Sequence, residues 1–155
     1  MGCRFSGVPF TGERQLLDPS FPLSGQRSSK AVPALPIRKA PPFISKTAQV
    51  FWEVMLPHRT RFLVWDAFPL HSHNPGDLLS VRNPTKGEAS RFRRTLCIIK
   101  AYMKPGCIVA VGRKADEQLA ALEIAHEYVR HPSRGGKAAF TAGMERIFSG
   151  CCEMR

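Results

Sequence analysis

The run Cys107-Ile108-Val109-Ala110-Val111 is wholly apolar, stops at Gly112, and precedes a segment in which Ala115, Leu119 and Leu122 share one helical face. A short apolar run closed by glycine reads as a strand covered on both sides, and the recurrence after it reads as an amphipathic helix. Strand, tight turn and helix form a βα unit, which places the chain in the α/β class, with parallel strands joined by right-handed crossovers. Upstream, Thr85-x-x-Glu88 makes a capping box. Beyond it Ala89, Phe92, Leu96, Ile99 and Met103 line one face of a helix that stops at Pro105-Gly106. Downstream, residues 127–130 are read as a last short strand and residues 131–136 as a turn. Phe140, Met144 and Ile147 then form the buried side of a closing helix.

The N-terminal part reads differently. Prolines at positions 9, 19, 22, 33, 36, 41 and 42 interrupt any regular element, so residues 1–44 are expected to be irregular and residues 45–149 to hold the α/β core. Ser45 is a suitable N-cap for a helix in which Ala48, Trp52 and Met55 recur until Pro57. Residues 61–68 (RFLVWDAF) are expected to make a buried strand that Asp66 interrupts near its carboxyl end. Residues 70–84 contain His71, His73, Asn74-Pro75-Gly76 and Asn83-Pro84, the composition of a long ordered loop. No internal repeat is evident, and 155 residues is the length of one domain.

The charge balance narrows the partners. Twenty-three Lys and Arg against 12 Asp and Glu give a formal charge of +11, which favours a polyanion such as nucleic acid or an acidic membrane surface. The apolar runs are far too short to span a bilayer, and no signal-peptide core follows Met1. Met1-Gly2-Cys3-Arg4-Phe5-Ser6 fits the short myristoylation pattern, which accident also meets easily. The cysteines, at positions 3, 97, 107, 151 and 152, are odd in number and form no C-x-x-C pair. That argues against a disulfide framework or a four-cysteine metal site, and for a reducing, cytoplasmic compartment.

In an open parallel sheet, ligands bind beyond the carboxyl ends of the strands. There the order of elements puts Asp66, Gly112, and His131 with its glycine turn. His131, followed by Pro132, Ser133 and two glycines at the start of a helix, is either a rigidly held donor to an anion or a histidine that merely caps a strand. Asp66 is an acid, base or acceptor for a ligand, or a strand-end carboxylate paired with an arginine. Phe10 is a stacking platform for a planar ligand or an anchor for its loop. His71 and His73 point apart in extended chain, a poor geometry for one metal. Arg91, Arg93, Arg94, Lys100 and Lys104 lie mostly off the apolar stripe of their helix and form a solvated basic face with attraction for DNA.

Five segments in order resemble the uracil-DNA glycosylase superfamily: Gly7-Val8-Pro9-Phe10-Thr11, FLVWDAFP at 62–69, HSHNPGDLLSVRNPT at 71–85, VAVGRKA at 109–115 and RHPSRGGK at 130–137. The resemblance covers nearly the whole chain and is closest to bacterial single-domain members. It implies a three-layer α/β/α sandwich around a short parallel sheet. The implied activity flips a damaged base out of DNA and hydrolyses its N-glycosidic bond, as a monomer, without metal or cofactor. By the same resemblance Phe10 would stack on the flipped base, and Asp66 stands where relatives have an asparagine that reads the uracil edge. His131 would stabilise negative charge on the uracil O2. Ser133, Arg134, Gly135, Gly136 and Lys137 would contact DNA, with Arg134 near the gap left by flipping. Cleavage leaves an anionic base, so a donor aimed at it stabilises the transition state.

Two departures follow from the same comparison. An ionised Asp66 accepts from uracil N3–H but cannot donate to O4 as an amide does. In relatives, a strand and a glycine-rich loop carrying the water-positioning residue precede the segment matching residues 2–10, so the sheet is expected to be short of one N-terminal strand. Two other functions stay open: a catalytically degenerate DNA-binding remnant of this fold, and an α/β nucleotide-binding protein using the Gly112 turn, although G-x-G-x-x-G is absent.

Overall fold

In the computed structural model, which describes residues 6–26, 29, 42–77 and 80–153, the first helices begin where side chains cap them. The Gln15 side chain accepts from the Gly12 N–H at 2.9 Å and opens the single turn α1 (Glu13–Leu16). Ser45 Oγ accepts from Ala48 N–H at 3.2 Å and opens α2 (Lys46–Met55). Thr85 and Glu88 complete the reciprocal capping box of α3 (Lys86–Ser90), each side chain accepting from the other's backbone N–H, at 3.2 and 2.7 Å. Each bond satisfies an N–H that the first helical turn leaves without an internal partner.

The chain divides into two compact units, residues 1–71 and 72–155. In the first, α2 buries Ala48, Phe51, Trp52 and Met55 and ends in a 3-10 turn, Leu56–His58, where Pro57 precludes further helix. Phe51 and Trp52 meet edge to face at 5.6 Å, and Phe21 and Phe62 pack against them at centroid distances of 4.9 to 6.2 Å. Burial of each large side chain contributes roughly 1.5–3 kcal/mol, so this cluster is the main organiser of the unit. Polar groups tie the proline-rich chain to it. Trp52 Nε1–H donates to Thr11 Oγ1 at 3.1 Å, and the fully buried Glu13 carboxylate accepts from Ser29 N–H and Oγ–H, both at 2.8 Å, and from Phe43 N–H at 3.1 Å.

The second unit contains α3, α4 (Arg93–Met103), β1 (Val109–Val111), α5 (Arg113–Ala120), β2 (Glu127–Val129) and α6 (Lys137–Glu153). The two strands are parallel, with Val109 opposite Glu127, Ala110 opposite Tyr128 and Val111 opposite Val129. Ala110, Leu119 and Ile124 form a buried cluster against which Leu96, Ile108, Ala115 and Leu122 pack. Helix α6 buries Phe140, Met144 and Ile147 on one face. Gly143 sets how closely that helix lies on β2, because a Cβ there would fall 2.8 Å from Val129 Cγ1. Mixed helices around a small parallel sheet agree with the α/β class.

Three expectations are corrected. Residues 61–68 form no strand: residues 62–66 take no regular secondary structure, and the sheet among the described residues contains only β1 and β2. Exposure alternates along this segment, with Leu63 58% and Trp65 38% exposed and Phe62, Val64 and Asp66 half-buried, so it is not covered on both sides. The helix expected to run from the capping box to Met103 is broken at Arg91 and Phe92 into α3 and α4, and no residue of either is buried. Partial cover of Leu96 is its main link to the core, while Ile98, Tyr102 and Met103 are exposed. Finally, residues 1–44 are not wholly irregular, because they contain α1 and the Glu13 network. The pattern Met1 to Phe5, and with it Cys3, lies outside the described residues.

Candidate functional site

His131 lies one residue beyond the end of β2 and is locked from three sides. Gly112 donates its N–H to Val129 O at 2.8 Å, closing the β1 turn against the end of β2. Gly112 has φ +87°, and a Cβ at this position would fall 2.8 Å from His131 Cβ, so only glycine lets the imidazole settle against the turn. On the far side, a Cβ on Gly136 would collide with the His131 carbonyl oxygen. Arg134 and Gly135 both take left-handed backbone, with φ +51° and +76°, which turns the chain sharply into α6. Gly136 N–H donates to Ser133 O at 3.0 Å and Gly136 O accepts from Phe140 N–H at 2.9 Å, joining turn and helix.

The hydrogen bonds decide the tautomer of His131. Ser133 N–H approaches Nδ1 at 3.2 Å and Ser133 Oγ lies 2.8 Å from the same atom. A backbone N–H can only donate, so Nδ1 accepts and the ring proton of the neutral imidazole is on Nε2. Burial, assisted by the Arg130 charge, pushes the His131 pKa below the ordinary histidine value. The side chain is therefore a neutral, oriented N–H donor near pH 7. Around it Ser133 is half-buried, and Arg134, Gly135 and Lys137 are exposed. Such a constellation can stabilise negative charge developing on a bound group.

Phe10 and Asp66 belong to the first unit. Phe10, at φ +51°, lays its ring on Phe51 at 4.4 Å with an interplanar angle of 11°. Its loop is held by Ser6, whose Oγ accepts from Val8 N–H at 3.1 Å, and by the buried Thr11, whose hydroxyl donates to Pro9 O at 3.0 Å. Asp66 is half-buried, and burial raises its pKa above the ordinary carboxylate value. The structure thus brings together Gly112, His131 and Ser133 with the turn behind them, and sets Phe10 on an aromatic stack in the other unit.

The described part of the long loop is held by Arg82, which spacing did not single out. Arg82 grips Glu88 with both terminal nitrogens, at 2.8 and 2.6 Å, and donates Nε–H to His73 O at 3.0 Å. Glu88 is held far below the usual carboxylate range by that pair and by the Thr85 N–H. His73 enters through its backbone carbonyl. Among the described residues, no three His, Cys, Asp or Glu side chains gather as a metal site, Cys97 is exposed, and no helix is long and apolar enough to cross a membrane.

His131 lines neither of two concavities. One, of about 240 Å³, is lined by Arg14, Asp18, Phe43 and Gln49 among others. The other, of about 460 Å³, lies between the end of α4 and residues 122–124. No family model, curated protein or solved structure matches the chain.

Proposed function

We propose that the chain is a DNA-base glycosylase of the uracil-DNA glycosylase type, which flips uracil or a related deaminated base from DNA and hydrolyses its N-glycosidic bond. Its core is then a three-layer α/β/α sandwich around a short parallel sheet, and it works as a monomer without metal or cofactor. The observation that carries the reading is the neutral His131 ring, with Nδ1 satisfied by Ser133 and the proton on Nε2. A leaving uracil becomes an anion. A neutral donor stabilises the growing charge on O2 in the transition state, and its lowered pKa keeps it from releasing the Ser133 contact by protonation near neutral pH.

In this reading Phe10 provides a flat face for the flipped base, Asp66 accepts from its N3–H, and Ser133 to Lys137 hold the DNA backbone. A second reading, a non-catalytic DNA-binding remnant, is favoured by segment 62–66, which joins no ladder and leaves the sheet among the described residues at two strands.

The test is uracil release from a labelled single-stranded oligonucleotide, run beside DNA binding at low and high salt. Release that His131→Ala reduces by on the order of a hundredfold or more supports the glycosylase. Salt-sensitive binding without release leaves the remnant, and release indifferent to His131→Ala removes His131 from the site.

A further inference from the structure

Helix α4 is the part of the second unit that the His131 site does not use. None of its residues is buried, although it carries apolar side chains. Arg94, Ile98 and Tyr102 follow one another at four-residue steps and so share a face. Ile98 is 58% exposed and Tyr102 85% exposed. Between Glu88 and Asp116 there is no acidic residue, while Arg91, Arg93, Arg94, Lys100, Lys104, Arg113 and Lys114 fall in that interval. The side chains of Arg94, Lys100 and Lys104 are exposed, and no ion pair to them occurs among the described residues. The 460 Å³ groove opens beside this face. Lys100 and Lys104 line it together with the apolar Ala101, Pro105, Leu122 and Ile124, and Glu123 is its one acid.

We propose that the outer face of α4 and this groove form a binding surface for single-stranded nucleic acid, separate from the His131 turn and independent of base excision. The phosphates lie on Arg94, Lys100 and Lys104, and a base stacks on Tyr102 beside Ile98. Unpaired cations around an exposed aromatic ring are the combination that tracks a single strand: charge follows the backbone, and the ring accepts any base face. A lipid surface fits less well, because interfacial helices bury a wide apolar face, whereas here Ile98 and Tyr102 stand among cations. Glu123 disfavours a phosphate on its own side of the groove and favours a path over the lysines.

The experiment is fluorescence anisotropy of an oligothymidylate of about 30 nucleotides, which contains no uracil and so reads this surface whether or not the protein excises bases. The triple variant Arg94→Ala/Lys100→Ala/Lys104→Ala is expected to weaken binding roughly tenfold or more at about 50 mM salt and to flatten the log–log salt slope by about 2. Tyr102→Ala is expected to weaken it about fivefold or more with the slope unchanged. Lys46→Ala/Arg59→Ala, which removes exposed charge from the other unit, is expected to change it far less than the triple variant. Circular dichroism confirms that the variants are folded. Equal losses in the charge control and the triple variant, or no loss in Tyr102→Ala, overturn the proposal. So does sedimentation with phosphatidylserine vesicles that depends on these residues while oligothymidylate binding does not.

Discussion

At the scale of single residues, the sharpest constraint is the contact between a glycine and a histidine. Gly112→Ala places a methyl group within 2.8 Å of His131 Cβ at a backbone φ of +87°, costing on the order of 2 kcal/mol through left-handed strain and the displaced ring. Chemical denaturation measures the cost. The NMR resonances of the His131 ring are expected to shift in the variant, separating this effect from a general loss of stability. Asp66 behaves oppositely. Burial raises its pKa, so the folded state binds its proton more tightly than the unfolded chain, and stability falls as pH rises through that range. Asp66→Asn removes the buried charge. It is expected to raise the thermal midpoint at pH 7 and to improve discrimination for uracil over hypoxanthine and xanthine, as read by competitive base release. An unmoved midpoint would mean that the carboxylate is hydrated in place.

At the scale of elements, His126 fastens the helix of the βα unit to the start of its second strand. Its Nδ1 lies 2.7 Å from Ile124 O and its Nε2 lies 3.0 Å from Asp116 Oδ1. A carbonyl and a carboxylate are both acceptors, so the two bonds together need both ring nitrogens protonated. The Ile124 carbonyl, and next the Asp116 carboxylate, raise the His126 pKa above 6.5. A raised pKa gives stability that is fully present below the unfolded value and lost as pH rises through the folded one. The denaturation midpoint is therefore expected to fall between pH 6.5 and the raised pKa of His126, and Asp116→Asn is expected to flatten that fall. His131, whose pKa is lowered, adds the reverse trend below 6.5, so the pH profile should peak near neutrality.

The elements also show what local sequence could and could not reveal. The capping box at Thr85 and Glu88, the cap at Ser45 and the Phe140, Met144, Ile147 stripe are present as their spacing predicts, and the apolar run ending at Gly112 holds a strand, although that strand spans only Val109–Val111 and buries only Ala110. Each is a short-range pattern satisfied within a turn or one strand. Residues 61–68 mislead because aromatic and β-branched composition reports suitability for a strand, whereas a strand exists only when another chain segment completes its hydrogen bonds. The stripe from Ala89 to Met103 misleads similarly: its spacing is helical, but the helix breaks at Arg91 and little of the second unit covers its face.

At the scale of the whole molecule, a formal charge of +11 makes a polyanionic partner the simplest explanation of the composition. The turn after β2 presents Arg134 and Lys137 to solvent beside His131. With the proposed activity, Arg134→Ala is expected to lower excision from duplex DNA more than from single strands, because only the duplex must be held open while a base is out. Parallel rate measurements on the two substrates decide this, and equal losses would limit Arg134 to general electrostatic attraction.

By itself the sequence determined the starts of α2 and α3, the βα unit, the stripe of the closing helix and the basic balance, because each depends on neighbours within a few residues or on composition alone. It also drew attention to His131 through the proline and glycines that follow it. Only the tertiary structure decided which histidine nitrogen holds the proton, that Gly112 and Gly136 shape its seat, that Gly143 lets α6 approach Val129, and that Glu13 joins Ser29 and Phe43. The Gly112, Gly143 and Glu13 contacts join atoms from distant parts of the chain, and chain closure carries no local signal, while the Ser133 and Gly136 contacts with His131 depend on the turn geometry that the folded chain imposes. The same reason explains why segment 61–68 and helix α4 departed from expectation: burial is a property of what packs against a segment, not of the segment's own residues.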